Sequence, residues 1–175
     1  IGASGPIAGF IVSLLAVIVG LPLSKIIVAK GLEGSLALGD SLLFSLLSRL
    51  ILGELPESYD VLLHPIAFAG WIGFFVTALN LIPVGQLDGG HIAYAILGEK
   101  HENMSKILVL SMIILGFLLW EGWIIWAILL IILGLRHPPV MYWETPLDSR
   151  RKFIGWITTI IFILTFIPVP FKVMP

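Results

Sequence analysis

Leu79-Asn80-Leu81-Ile82-Pro83-Val84-Gly85-Gln86-Leu87-Asp88-Gly89-Gly90-His91 places an amide, a carboxylate and an imidazole at the mouth of an apolar run that begins near Leu62. An ionisable residue at membrane depth costs roughly 2.5–3.5 kcal/mol on insertion scales, so it marks an ion, a proton path or a substrate. Pro83 and Gly85 also interrupt backbone hydrogen bonding, and irregular backbone at that depth requires protein or a polar cavity around it. A bound metal at Asp88 is the first expectation.

The surrounding composition supports a membrane setting. Hydrophobic residues make up 58% of the 175 and charged residues only 12%, against about 45–50% and about 25% in soluble domains. Mean hydropathy is +1.07. The net charge of −1 gives nucleic acid no electrostatic footing. With no cysteine, disulfides and thiolate ligands are excluded, and a metal would be held by His, Asp or Glu.

Working outward, the pattern predicts an all-α polytopic helix bundle of about five transmembrane segments, forming a single membrane domain over residues 1–175. The first apolar run extends from Pro6 to Val28 and opens on Gly5 and Gly9, whose spacing favours close helix approach. A polar stretch from Ala29 to Asp60 follows. Within it, Ser41–Leu52 gathers Ser41, Ser45, Ser48 and Arg49 on one side, as a short interfacial helix would, serving either as a lid or as a passive surface element. Leu62–Ile82 is the second span, with Ala69, Gly70 and Gly73 for close packing.

After Asp88 a short helix closes at Gly98, and Glu99–Asn103 reads as a polar turn. Ile107–Leu119 and Trp123–Leu135, each short for a full crossing, form either a hairpin about Glu121-Gly122, the preferred reading, or one long tilted helix, and Phe153–Val169 is the last apolar run. The basic residues Lys100, Lys106, Arg136, Arg150, Arg151 and Lys152 place their loops on the cytoplasmic side, opposite Lys25, Lys30 and Arg49. Most of the six tryptophans fall where interfacial anchors are expected. His101 and His137 read as solvated, and His64 before Pro65 as a capping or interfacial residue.

Asn80-Leu81-Ile82-Pro83 with Leu87-Asp88-Gly89-Gly90 resembles the second signature of the site-2 protease family of intramembrane zinc metalloproteases. Gly5-Pro6-Ile7-Ala8-Gly9, His64-Pro65 with Ala69-Gly70-Trp71, and Arg136-His137-Pro138-Pro139-Val140 with Pro146-Leu147-Asp148 are similar to that family's bacterial and plastid-type branch. The resemblance implies a multi-pass protein of a prokaryotic plasma membrane or plastid membrane. It implies a Zn2+ cofactor held by two histidines of an H-E-x-x-H helix and by Asp88, the Glu of that helix serving as general base. The substrate implied is a membrane protein with a transmembrane helix in the lipid bilayer.

Asn80 is a candidate contact to a developing oxyanion or an unwound substrate backbone, or alternatively a cap for backbone groups freed near Pro83. His91 lies one turn beyond Asp88 and reads as packed or supporting rather than ligating. Gly89 and Gly90 suit close packing. H-E-x-x-H itself is missing: only His101 is followed by Glu, and Ser105 stands where the second His would fall. The chain is therefore expected to be the C-terminal part of a longer protease, inactive alone. A transporter using Asp88 at a broken helix, or a catalytically dead scaffold, are the alternatives.

Overall fold

The computed structural model describes residues 2–29, 34–56, 58–135 and 148–173. Seven helices and four short strands are formed by these residues: α1 (Ser4–Gly20), β1 (Lys25–Val28), β2 (Leu36–Leu38), α2 (Leu42–Leu52), β3 (Tyr59–Leu62), α3 (Pro65–Leu81), α4 (Asp88–Leu97), α5 (Lys100–Leu118), α6 (Gly122–Leu133), α7 (Ser149–Thr165) and β4 (Phe171–Val173). The protein is mostly helical, as the apolar runs predict. Expectations resting on Lys30, Arg136–Val140, Trp143, Pro146 and Leu147 lie outside the described residues.

Two compact units partition the chain: Ile1–Ile7 with Leu79–Phe162, and Ala8–Ala78 with Ile163–Pro175. In the second unit the expected long run from Pro6 to Val28 is cut short. Pro22 sets a 3-10 turn over Leu21–Leu23, the Ser24 hydroxyl donates to the Gly20 carbonyl at 2.9 Å, and the chain leaves as a strand. The strands correct the purely helical expectation. β1 pairs antiparallel with β3, Lys25 opposite Leu62 and Val28 opposite Tyr59. β2 pairs antiparallel with β4, Leu36 opposite Val173 and Leu38 opposite Phe171.

The core of this unit joins Val17, Leu21, Phe44, Trp71, Phe74 and Ile167. Gly70 and Gly73 let α3 approach α1 at Ser13, where a Cβ on Gly70 would lie 2.8 Å from the Ser13 carbonyl. Trp71 is 1% exposed, stacks on Phe75, meets Phe171 edge-on and donates its indole N–H to the Gly39 carbonyl at 2.7 Å. It and Trp123, equally buried, are core residues rather than interfacial anchors. Ser41 caps α2, accepting from the Phe44 N–H at 3.2 Å. His64 caps α3 through Nδ1, which accepts from the Ile66 N–H at 3.3 Å.

In the first unit α5 and α6 form the expected hairpin. Gly116 is seated against Ile124, and the turn passes through the exposed Glu121. The polar run after Gly98 is helix rather than turn: α5 begins at Lys100, and Glu102 pairs with Lys106 at 2.8 Å one turn later. His101 is consequently buried, with Nε2 3.3 Å from the Ser105 hydroxyl and Tyr94 edge-on, a correction to its solvated reading. Among the described residues, two helices are long and apolar enough to cross a membrane: α1 continued through Leu23, and α5. Ile11, Val12 and Leu15 on α1, like Ile107, Phe117 and Leu118 on α5, are exposed apolar side chains, as a lipid-facing surface requires.

Candidate functional site

The signature stretch folds as a helix end, a buried turn and a helix start. α3 runs through Asn80 to Leu81, and the turn is held by Val84 N–H to the Ile82 carbonyl at 2.8 Å. Val84 is fully buried, and Gly85 takes a left-handed φ of 56°. α4 then opens on Asp88, with the His91 N–H bonded to the Leu87 carbonyl at 2.9 Å. Gly89 and Gly90 are pressed against the carbonyls of Leu81, Ile82, Val84 and Gly85, as their packing role predicts. A side chain at either would force the turn apart and shift Asp88.

Asp88 is half-buried in the first turn of α4, where the helix dipole favours an anion. The start of α1 lies over it. A Cβ on Gly5 would stand 3.6 Å from Asp88 Oδ2, and one on Gly2 would stand 3.1 Å from the His91 Cβ. The glycines at the head of the chain thus leave room beside the carboxylate. That juxtaposition joins distant positions, and the Gly-Pro-x-Ala-Gly stretch was its only signal in the sequence.

His91 is exposed on the same helix. Asn80 is exposed in the last turn of α3, and its side chain has no hydrogen-bond partner among the described residues. Among the described residues no three His, Asp or Glu side chains gather as a metal centre. Asp88 fits zinc as one carboxylate donor; the remaining donors are not among the described residues.

Beside the turn, an apolar cavity of about 230 Å³ is walled by Pro83, Gly89, Ile92, Met104, Thr158 and Phe162. The hydroxyls of Thr158 and Thr159 both donate to the Gly155 carbonyl, at 2.8 and 3.0 Å, so they present no free donor to it.

In the other unit, a polar cleft contains Asp40. Partial burial there and the neighbouring Asp60 carboxylate push the Asp40 carboxyl above its ordinary value of 3.8, while Lys172 opposes them. Because the folded-state value is raised, the resulting stability is full below the unfolded value and is lost as pH rises through the folded one. Asp40→Asn is therefore expected to raise the melting temperature slightly at pH 7, by less than about 2 °C given its partial exposure. The difference vanishes in acid; thermal melts at the two pH values check this.

The sequence model of Peptidase family M50 matches residues 1–119. A protein of Arabidopsis thaliana named "Probable zinc metalloprotease EGY2, chloroplastic" is 28% identical over 98% of this chain and 31% of its own length. "Probable zinc metalloprotease EGY1, chloroplastic" from the same plant is 33% identical over 97% of this chain and 32% of its own. "DDT domain-containing protein PTM", also of Arabidopsis thaliana, is 36% identical over 66% of this chain and 7% of its own length. The chain thus spans about a third of the length of the EGY relatives. No solved structure matches it. With its signature stretch, its membrane-type helices and two thirds of its length matched, the chain belongs to Peptidase family M50, the site-2 protease family.

Proposed function

We propose that this chain serves a zinc-dependent intramembrane protease that cleaves transmembrane segments of membrane proteins. The observation that carries the reading is Asp88, placed in the first turn of α4 behind a buried turn, with Gly5 leaving space beside its carboxylate. In the complete enzyme Asp88 would be one protein ligand of zinc, with the other donors outside the described residues. When bound, zinc supplies a water activated for attack on a peptide carbonyl. Asn80, exposed and uncommitted, would hold the backbone of a locally unwound substrate, and the apolar cavity at Pro83 and Gly89 suits an apolar substrate side chain.

In this reading α1, α3, α5, α6 and α7 are the five spans, in a prokaryotic plasma membrane or a plastid membrane. At about 1.5 Å per residue α3 and α7 reach about 25 Å each and α6 about 18 Å, short of a full hydrocarbon core unless the bilayer thins around them. The chain alone, carrying Asp88 without the H-E-x-x-H pair, would be inactive. Chelation tests the proposal: stripping zinc from the full-length protein should abolish cleavage of a reporter containing a transmembrane helix, and zinc should restore it. Undiminished cleavage by metal-free protein would overturn the reading.

A further inference from the structure

The first turn of α7 is basic, with Arg150, Arg151 and Lys152 in succession, and the rest of the helix carries no charge. At about 3.6 residues per turn the three cations separate around the axis. Phe153, Trp156 and Ile160 fall on one arc, and each is more than half exposed. Ser149 stands at the head of that arc, with Lys152 on one flank and Arg150 on the other. Arg151 falls on the opposite side, that of the buried Gly155 and Thr158. A Cβ on Gly155 would stand 3.1 Å from Ile96 Cδ1, so on this side α7 meets α4.

The three cations differ in what they already hold. Asp148 Oδ1 accepts from the Arg151 N–H at 2.8 Å, and Oδ2 lies 3.9 Å from the same residue's Nε. Arg150 and Lys152 have no carboxylate within ion-pair reach among the described residues. At the junction of α4 and α5, Glu102 pairs with Lys106 at 2.8 Å and Glu99 stands next to Lys100, so that junction adds no net charge. The exposed apolar strip therefore ends in two uncommitted positive charges. An ammonium group brought there would be repelled by both. One turn beyond Lys152, the exposed Trp156 carries an indole N–H with no acceptor among the described residues.

We infer that the first turns of α7 bind an anionic glycerophospholipid. Its phosphate lies over Ser149, where the long side chains of Arg150 and Lys152 converge from the two flanks. Its ester carbonyls accept from the Trp156 indole N–H, and an acyl chain follows Phe153, Trp156 and Ile160. Charge complementarity selects an anionic headgroup over a zwitterionic one. The apolar strip, continuous with the basic turn, selects a lipid over a soluble phosphoester. The proposal rests on the reading of α7 as a span and is independent of Asp88 and zinc.

The test uses full-length protein in maltoside micelles and native mass spectrometry, with phosphatidylglycerol, phosphatidylcholine and soluble glycerophosphoglycerol titrated in turn. Preferential retention of phosphatidylglycerol is expected, weakened about fivefold by Arg150→Gln or Lys152→Gln and about twenty-fivefold by the two together. Arg151→Gln removes the same charge from the other side of the helix, where Asp148 already offsets it, and should weaken retention by less than about twofold. All three residues are exposed, so unchanged melting separates lost binding from lost folding. In phosphatidylglycerol vesicles, Ile160→Cys in a background without other cysteines should be shielded from a water-soluble maleimide. Ready labelling would overturn the span reading and the lipid site with it; shielding without a preference for phosphatidylglycerol would overturn the lipid site alone. An equal loss from Arg151→Gln, or glycerophosphoglycerol binding as tightly as the lipid, would also overturn the proposal.

Discussion

Asp88→Ala in the full-length enzyme is expected to lower bound zinc and bring cleavage of a membrane-embedded substrate down by more than about a hundredfold. Losing a group that merely supports a metal ligand already costs 10–100-fold in affinity or activity, so losing a ligand exceeds that. Asp88→Asn is the sharper variant. It keeps the volume in the first turn of α4 and removes the charge that both the helix dipole and a metal favour. Zinc content by elemental analysis and turnover on the same preparation decide the matter. Full zinc and full activity in either variant would show that Asp88 is not a ligand.

The second large effect is structural. Trp71→Ala is expected to destabilise its unit by about 3–5 kcal/mol, the range for truncating a buried aromatic. The indole is 1% exposed, packs on Phe68, Phe75 and Phe171 and donates to the Gly39 carbonyl. Trp71→Phe separates these contributions. It keeps most of the apolar contact but leaves the Gly39 carbonyl without its donor, at about 1–3 kcal/mol. Chemical denaturation in a fixed detergent compares the three proteins, and an unaffected Trp71→Ala would refute the core assignment.

Local signals explain what could be read from the chain. Ser41 announces the start of α2, Gly98 the end of α4, and Glu121-Gly122 the hairpin turn, because caps and left-handed glycines act within a few residues. Asp88 stood out for the same reason: a carboxylate in an apolar run is conspicuous by itself. The strands were concealed inside longer patterns, Lys25–Val28 as the tail of an apolar run and Tyr59–Leu62 as its polar approach. Each has four residues, too few to establish a period of two. His101 was misplaced because burial depends on which distant surface covers a residue. The meeting of Gly5 with Asp88 is likewise set by tertiary packing.

The pairing of β2 with β4 bears on how the protein is made. Leu36–Leu38 cannot complete their ladder, nor Trp71 acquire Phe171, until the last described strand has left the ribosome. The Ala8–Ala78 portion therefore waits with an incomplete core through the synthesis of everything between. Non-local pairings of this kind carry the largest loop-closure cost and form late. Loss of Phe171–Val173 alone would leave Leu36–Leu38, translated far earlier, without a closing strand.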